Sequence, residues 1–495
     1  MTGIILNKLT FGYSSPLIED LTCSFSRGWT AITGKNGCGK TTLLKLIMGQ
    51  LKPWSGTITT KGTIAYCSQS TELPAADAEN FMWDYSGTAM RLKGLLQIKE
   101  DWLERWSTLS FGERVRFQTA RALNAEPDIL IVDEPTNHLD SESREMLYNS
   151  LKNFRGTGLL VSHDRKLLNE LPFQCLFFKP PSAVMRPGTY LSGKAEESRE
   201  YNELLNSKTQ LQKNMKRLHT EAQREKRLAA KADSDKSKKN LGKKDSDGRA
   251  KLDLARLTGK DAVHGQLYKT MQNRILKEEE KIAGINIKKQ KSVKLYSDTS
   301  SAKSDFLIRL SAGRLVMGAR TLVYPDLFVS PLNKIGITGS NGCGKSSLVK
   351  YIVNSIRPDN CLYIPQEISE KDAASFTRKI SQLPKTERGK VYASIDRLGS
   401  DPRRLLETES PSPGELRKLI LAEGFLNSPS LLIMDEPTNH MDLDSVECLE
   451  EALKEAECAI MLVSHDRYFM DSIIKTEWKI EADESEDFFK LEIRK

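Results

Sequence analysis

Short, unbroken apolar runs recur toward both ends of the chain. Ile129-Leu130-Ile131-Val132, Leu431-Leu432-Ile433-Met434 and Cys458-Ala459-Ile460-Met461-Leu462-Val463 show no polar alternation, the pattern of strands buried on both faces of a parallel sheet. Thr30-Ala31-Ile32-Thr33 and Lys334-Ile335-Gly336-Ile337 read as further strands, each running into a glycine-rich loop. Met1 to Tyr13 reads as an opening strand and lacks the basic segment and longer apolar core of a secretory signal. No run approaches the ~18 apolar residues that cross a bilayer, so the protein is expected to be cytoplasmic.

In the middle of the chain the period changes. Leu204, Leu211 and Leu218 recur at heptad spacing, with Tyr201 and Met215 between them. Tyr268, Ile275 and Ile282 do the same, with Met271. Two amphipathic helices packed as an antiparallel pair are predicted. The stretch from Asp233 to Lys260 between them is rich in Gly, Ser, Asp and Lys and reads as the tip. A first helix over 194–235 would be ~60 Å long, more reach than a tether between touching domains needs; a solvated hinge is the plainer alternative.

The two flanks repeat one another. Gly34-Lys35-Asn36-Gly37-Cys38-Gly39-Lys40-Thr41-Thr42 returns as Gly339-Ser340-Asn341-Gly342-Cys343-Gly344-Lys345-Ser346-Ser347. Asp133-Glu134-Pro135-Thr136-Asn137-His138-Leu139-Asp140 returns as Asp435-Glu436-Pro437-Thr438-Asn439-His440-Met441-Asp442, and Val161-Ser162-His163-Asp164-Arg165 as Val463-Ser464-His465-Asp466-Arg467. The order is conserved and the offset is about 300 residues throughout. The predicted organisation is therefore two copies of one α/β domain, at 1–190 and 305–495, joined by a helical linker at 191–304 with its tip near 233–260.

Charge refines this picture. The net charge of the 495 residues is +8, yet residues 194–294 hold 27 Lys or Arg against 15 Asp or Glu. The connector is thus strongly basic and the two repeats together slightly acidic. The eight cysteines form no C-x-x-C pair, which gives neither a disulfide framework nor a zinc or iron–sulfur spacing any support.

Both glycine-rich loops fit G-x-x-x-x-G-K-[ST]. Gly34, Asn36, Gly37 and Gly39, and likewise Gly339, Asn341, Gly342 and Gly344, let backbone N–H groups cradle phosphate at a helix N-terminus. Lys40 and Lys345 would reach the β- and γ-phosphates. Thr41 and Ser346 would ligate Mg²⁺, with Thr42 and Ser347 closing each loop. Asp133 and Asp435, at the carboxyl ends of buried strands about 90 residues later, suit a second Mg²⁺ contact. Glu134 and Glu436 are positioned as bases for an attacking water.

These motifs, in this order, resemble the ATP-binding cassette superfamily. The resemblance covers nearly the whole chain and implies a tandem P-loop ATPase architecture, with ATP at two sites and Mg²⁺. It implies that Gln69 and Gln366 contact Mg²⁺ and water, and that His163 and His465 contact the γ-phosphate. Tyr13 resembles the aromatic that stacks on adenine; the second repeat has Met317-Gly318 near that place. Leu109-Ser110-Phe111-Gly112-Glu113 and Pro411-Ser412-Pro413-Gly414-Glu415 resemble signature loops, with Phe111 and Pro413 where the family usually has glycine. Read on their own, both are capping boxes, with Pro413 at a tolerated first helical position. The two readings are compatible. Since such cassettes pair head-to-tail, Ser412 and Gly414 would complete the site of the first phosphate loop, and Ser110 and Gly112 that of the second.

Three roles are compatible with these motifs: the motor of a membrane transporter, a DNA-repair or chromosome-organising ATPase, and a translation factor of the ABC-F type. The chain has no membrane span, zinc module or very long coiled coil. It resembles the ABC-F group in the Glu-Pro-Thr-Asn-His-[Leu/Met]-Asp wording of both repeats and in its basic two-helix linker. That resemblance implies a monomer whose cassettes pair internally and whose ATP-closed form sits in the exit site of a 70S-type ribosome. The linker would reach P-site tRNA and the peptidyl-transferase region of the large-subunit rRNA. Candidate RNA contacts are Lys238, Lys239, Lys243, Lys244, Arg249, Lys251, Arg256 and Lys260, on the logic that a basic rod suits a phosphate-dense cleft. Only about 40 residues separate Gln69 from Ser110, too few for the extra arm of several housekeeping members. With the long tip, this favours ribosome protection against antibiotics over a housekeeping role.

Overall fold

The computed structural model describes residues 3–136, 139–235, 262–285, 306–318, 320–356, 360–402, 405, 411–483 and 488–494. The eight basic tip candidates lie outside these residues. The described chain forms two compact units: Met1–Gly193 with Lys291–Lys495, and Lys194–Gln290.

The repeat seen in the sequence is also a repeat in topology. In the first half the sheet order is Ile64–Cys67, Ile129–Asp133, Thr157–Val161, Gly28–Thr33, Pro172–Lys179, Ser182–Pro187. In the second, Cys361–Ile364, Leu431–Asp435, Ala459–Val463, Lys334–Gly339, Thr476–Ala482 and Phe488–Arg494 follow the same order. All neighbours are parallel except the last pair of each. The apolar runs are buried at every position, as helices cover both faces of a parallel sheet.

The halves differ at their N-terminal strands. Gly3–Gly12, Pro16–Phe25 and Ser55–Lys61 form a separate antiparallel sheet. In the second half Gly313–Met317 and Arg320–Tyr324 instead extend the main sheet to eight strands, through Thr321 paired with Phe488.

Register sets where the chemistry emerges. Asp133 pairs with Val161 and Asp435 with Val463, while Ile32 and Ile337 pair with those same valines. Each phosphate loop, Asp-Glu pair and histidine turn therefore leaves one carboxyl edge, the crevice where ligands of open α/β sheets bind. The halves also share apolar surface. Leu443 of the second is buried in a core cluster of the first, beside Val132 and Leu139, a burial that contributes about 2 kcal/mol.

The basic connector is helical over Tyr190–Asp235 and Ala262–Gly284. At 46 residues the first helix is about 70 Å long. Lys208 Nζ donates to the Ile285 carbonyl at 3.2 Å, and Lys226 lies 5.9 Å from the Tyr268 ring, so the two helices run antiparallel. Ala222 and Ile275 are buried along the seam, and Leu211, Met215, Leu218, Met271 and Ile282 half-buried. Leu204 departs from the predicted row and is 48% exposed; the described part of the second helix ends level with Lys208, a turn beyond it.

Candidate nucleotide sites

Each phosphate loop turns the last strand residue into a helix, Lys40–Ile47 in the first half and Lys345–Ile356 in the second. Gly39 and Gly344 both have φ of 101°, a left-handed conformation, and a Cβ there would stand 2.5 Å from Leu17 and 2.6 Å from Met317. Lys40 Nζ donates to the Gly34 carbonyl at 2.8 Å, and Lys345 Nζ to the Gly339 and Ser340 carbonyls at 2.9 and 2.8 Å. Both lysines are nearly buried, so their charge stands in a poorly screened cradle.

The Thr41 hydroxyl donates to Asp133 Oδ2 at 2.9 Å, and Ser346 bonds Asp435 in the same way. Burial pushes both aspartates above the ordinary carboxylate range, against the pull of those hydroxyls. Asp133 Oδ1 and Asp435 Oδ1 are buried without a hydrogen-bond partner. A hydroxyl and an unpartnered carboxylate oxygen at the mouth of a phosphate loop are the hard oxygen donors that Mg²⁺ takes, so the donor set fits that ion.

Glu134 and Glu436 follow at φ of 50° and 48°. Each is pinned in this sparsely populated conformation by its N–H, which donates at 2.8 Å to Val161 and to Val463. Strain repeated at matched positions marks a functional site. Both side chains are buried, and their environments diverge. His163 Nε2 lies 3.0 Å from Glu134 Oε1. Burial alone would raise Glu134, but His163 and Lys40 outweigh it and hold the carboxyl below its usual range. His465 Nε2 stands 3.6 Å from Glu436, whose carboxyl burial pushes up to about 7. Burial, then Lys345 and Arg144, depress His465 to about 3.

Asn36 Oδ1 meets His163 Nε2 at 3.1 Å, and Asn341 Oδ1 meets His465 Nε2 at 3.1 Å. The same loops cross to the other cassette. Asn36 N donates to Asp442 Oδ2 at 3.1 Å, Asn36 Nδ2 to the His440 carbonyl at 2.9 Å, and Lys35 Nζ to the Gly399 carbonyl at 3.3 Å. Reciprocally, the N–H of Asn341 donates to Asp140. The repeated word ending in Asp140 and Asp442 is the sequence signal that marks this pair.

A cavity of about 420 Å³ opens at the second loop, lined by Asn341, Lys345, Ser346, Gln366, Glu436 and His465 among others, and by Leu139 and Arg144 of the first cassette. Met317 and Arg320 complete its wall. Arg320 donates to the Gly342 carbonyl at 3.0 Å and lies 6.0 Å from the Phe489 ring, so a cation and a thioether form this wall. Nothing in the sequence marks Arg320. Tyr13 is 69% exposed and packs edge-on against Phe11. Gln69 is exposed, whereas the Gln366 turn is held through its carbonyl by the buried Arg417.

Both signature serines cap helices, Phe111–Asn124 and Pro413–Gly424, in complete capping boxes. The Ser110 and Ser412 hydroxyls donate to Glu113 and Glu415 at 2.8 and 2.7 Å, and both serines are exposed. Gly112 and Gly414 sit in the first turn of these helices, and neither signature loop lines the second cavity.

Comparison with known proteins agrees with this geometry. The family model described as "ABC transporter" matches residues 18–137 and 325–439, one span in each half. The ribosome protection protein VmlR of Bacillus subtilis (strain 168) is 30% identical over 89% of this chain and 79% of its own length. The erythromycin resistance ATP-binding protein MsrA of Staphylococcus epidermidis is 27% identical over 91% of each chain. Among solved structures, the archaeal ribosome recycling factor aABCE1, in complex with the stalk protein aP1, aligns over 98% of this chain and 89% of its own, at a TM-score of 0.64 and 16% identity, a likeness of fold alone. Among the described residues no helix is long and apolar enough to cross a membrane. With two cassettes of one core sheet order, duplicated phosphate loops and Asp-Glu strand ends, and a basic helical connector linking them in sequence, this chain belongs to the ATP-binding cassette superfamily, in its ABC-F subfamily.

Proposed function

We propose that this protein is a cytoplasmic, monomeric ribosome-binding ATPase that protects the ribosome from antibiotics of the peptidyl-transferase centre. Its ATP-closed form occupies the exit site, its linker contacts P-site tRNA and the peptidyl-transferase region, and hydrolysis releases it. The observation that carries this reading is the similarity to VmlR and MsrA across about nine-tenths of the chain. The basic hairpin supports it, since such a surface gives strong, largely sequence-independent attraction to RNA phosphates.

ATP binds at two sites, each held by one phosphate loop beside the other cassette's aspartate, and the other cassette's signature loop closes on it when ATP is bound. Mg²⁺, when bound, neutralises phosphate charge beside Thr41 and Asp133 or Ser346 and Asp435. Lys40 and Lys345 bind the β- and γ-phosphates. Glu134 and Glu436 take a proton from the water that attacks the γ-phosphorus, as its bond to the bridging oxygen breaks. His163 and His465, oriented by Asn36 and Asn341, hold the γ-phosphate. Loss of that phosphate removes what holds each loop against the opposite signature serine, and the cassettes part.

The reading is tested in a susceptible host lacking its own protection factor, by expressing the protein and measuring growth in lincosamide, pleuromutilin and streptogramin A. Raised tolerance, abolished by Glu134→Gln/Glu436→Gln, is the expected result. Unchanged tolerance to all three, with the protein well expressed, rejects antibiotic protection and leaves a housekeeping translation role.

A further inference from the structure

The two sites are reciprocal in their loops but unequal just beyond the repeated aspartate. Asp140-Ser141-Glu142-Ser143 is followed by Arg144, and Asp442-Leu443-Asp444-Ser445 by Val446. Val446 is 4% exposed and packs into the core of its own cassette. Arg144 points across. Its Nε donates to the Leu139 carbonyl at 3.0 Å, and its Nη1 lies 3.4 Å from Asp164 Oδ2. The same Nη1 donates to the His465 carbonyl at 3.3 Å. Two anchors from its own cassette thus fix a guanidinium that is delivered to the histidine turn of the other, and it lines the cavity holding Lys345, Glu436 and His465. Beside His163 and Asp164 the second cassette presents Thr438, Asn439, His440, Met441, Val446 and Asp466, with no arginine among them, and Arg144 reaches this cleft only from its own cassette, through Asp164.

We propose that Arg144 is a positioning residue which the first cassette supplies to the second phosphate-loop site, so that the two sites hydrolyse ATP by unequal means. The inference rests on the reading that both sites are hydrolytic. A guanidinium keeps its charge at any working pH. This one is 20% exposed, so its field reaches Glu436 and the phosphate end of the cavity with little screening. Through the His465 carbonyl it also fixes the turn that carries the imidazole. The site of the first loop receives neither effect from Val446.

The test uses the full chain in two backgrounds: Glu134→Gln, which leaves the second site hydrolysing, and Glu436→Gln, which leaves the first. In the first background Arg144→Val is expected to lower kcat about tenfold, in keeping with one lost charge-assisted contact, with KM changed less than about twofold. In the second background the same substitution removes only the Asp164 pairing beside His163 and is expected to lower kcat clearly less than in the first. Arg144→Lys, which keeps the charge, recovers part of the loss. Equal losses in both backgrounds, as a general disturbance of packing produces, overturn the proposal, and so does no loss in the first. Absence of hydrolysis in both backgrounds with Arg144 intact overturns the two-site reading itself, and this proposal with it.

Discussion

Asn36→Ala isolates what one hydrogen bond across the cassettes contributes to ATP-driven closure. The side chain makes two contacts, Oδ1 to His163 within its own cassette and Nδ2 to the His440 carbonyl of the other, at 3.1 and 2.9 Å. Its backbone N–H, bonded to Asp442, survives the substitution. Asn341 is the natural control: its side chain meets His465 at 3.1 Å, and its crossing contact, to Asp140, is made by the backbone. Asn36→Ala and Asn341→Ala therefore each lose a histidine contact, and only the former loses a bond between cassettes. A net hydrogen bond contributes about 1 kcal/mol, and that is about fivefold in the ratio of closed to open forms. Steady-state hydrolysis is measured against ATP concentration. Asn36→Ala should raise the half-saturating concentration about fivefold more than Asn341→Ala does, while both lower kcat through a less firmly held histidine. An equal shift in the two variants refutes the reasoning, because the His440 bond then contributes nothing to closure.

Other consequences follow from local geometry. Ser110→Ala and Ser412→Ala each remove a helix N-cap and should cost about 1 kcal/mol, a fall of about 2–4 °C in melting temperature for a domain of this size. Gly39→Ala and Gly344→Ala place a Cβ at 2.5 and 2.6 Å from Leu17 and Met317 at a left-handed φ; each should abolish binding of a fluorescent ATP analogue at its own loop while the other loop still binds. Tyr190 is 2% exposed, stacks on Phe177 and donates to Glu447 at 2.8 Å. Tyr190→Phe should destabilise the protein by about 2 kcal/mol, the contribution of a bond to a charged acceptor, read by thermal unfolding without nucleotide.

The phosphate loops and Asp-Glu strand ends were legible in the sequence because their chemistry is local: a run of glycines, a lysine, or a carboxylate closing an apolar run. The core strands were legible for a similar reason, since burial on both faces leaves no polar alternation. Arg320 and Arg144 were not. Each acts through a partner far along the chain, Phe489 for one and His465 for the other, and neither belongs to a repeated motif. The signature loops fit both a capping box and a phosphate site in sequence, and the structure shows the first in full, with each serine hydroxyl engaged by its own glutamate. The heptad row of the linker was legible except at Leu204, because spacing alone does not say where a partner helix ends.

The central claim is a ribosome-directed switch governed by ATP, and the most direct measurement is ribosome co-sedimentation of the Glu134→Gln/Glu436→Gln protein with ATP and with ADP, across a range of salt. Removing both bases holds the closed, ATP-loaded form. The account predicts retention on ribosomes with ATP, release with ADP, and weakening as salt rises. Failure to bind ribosomes with either nucleotide, in a protein that still binds ATP, would contradict it.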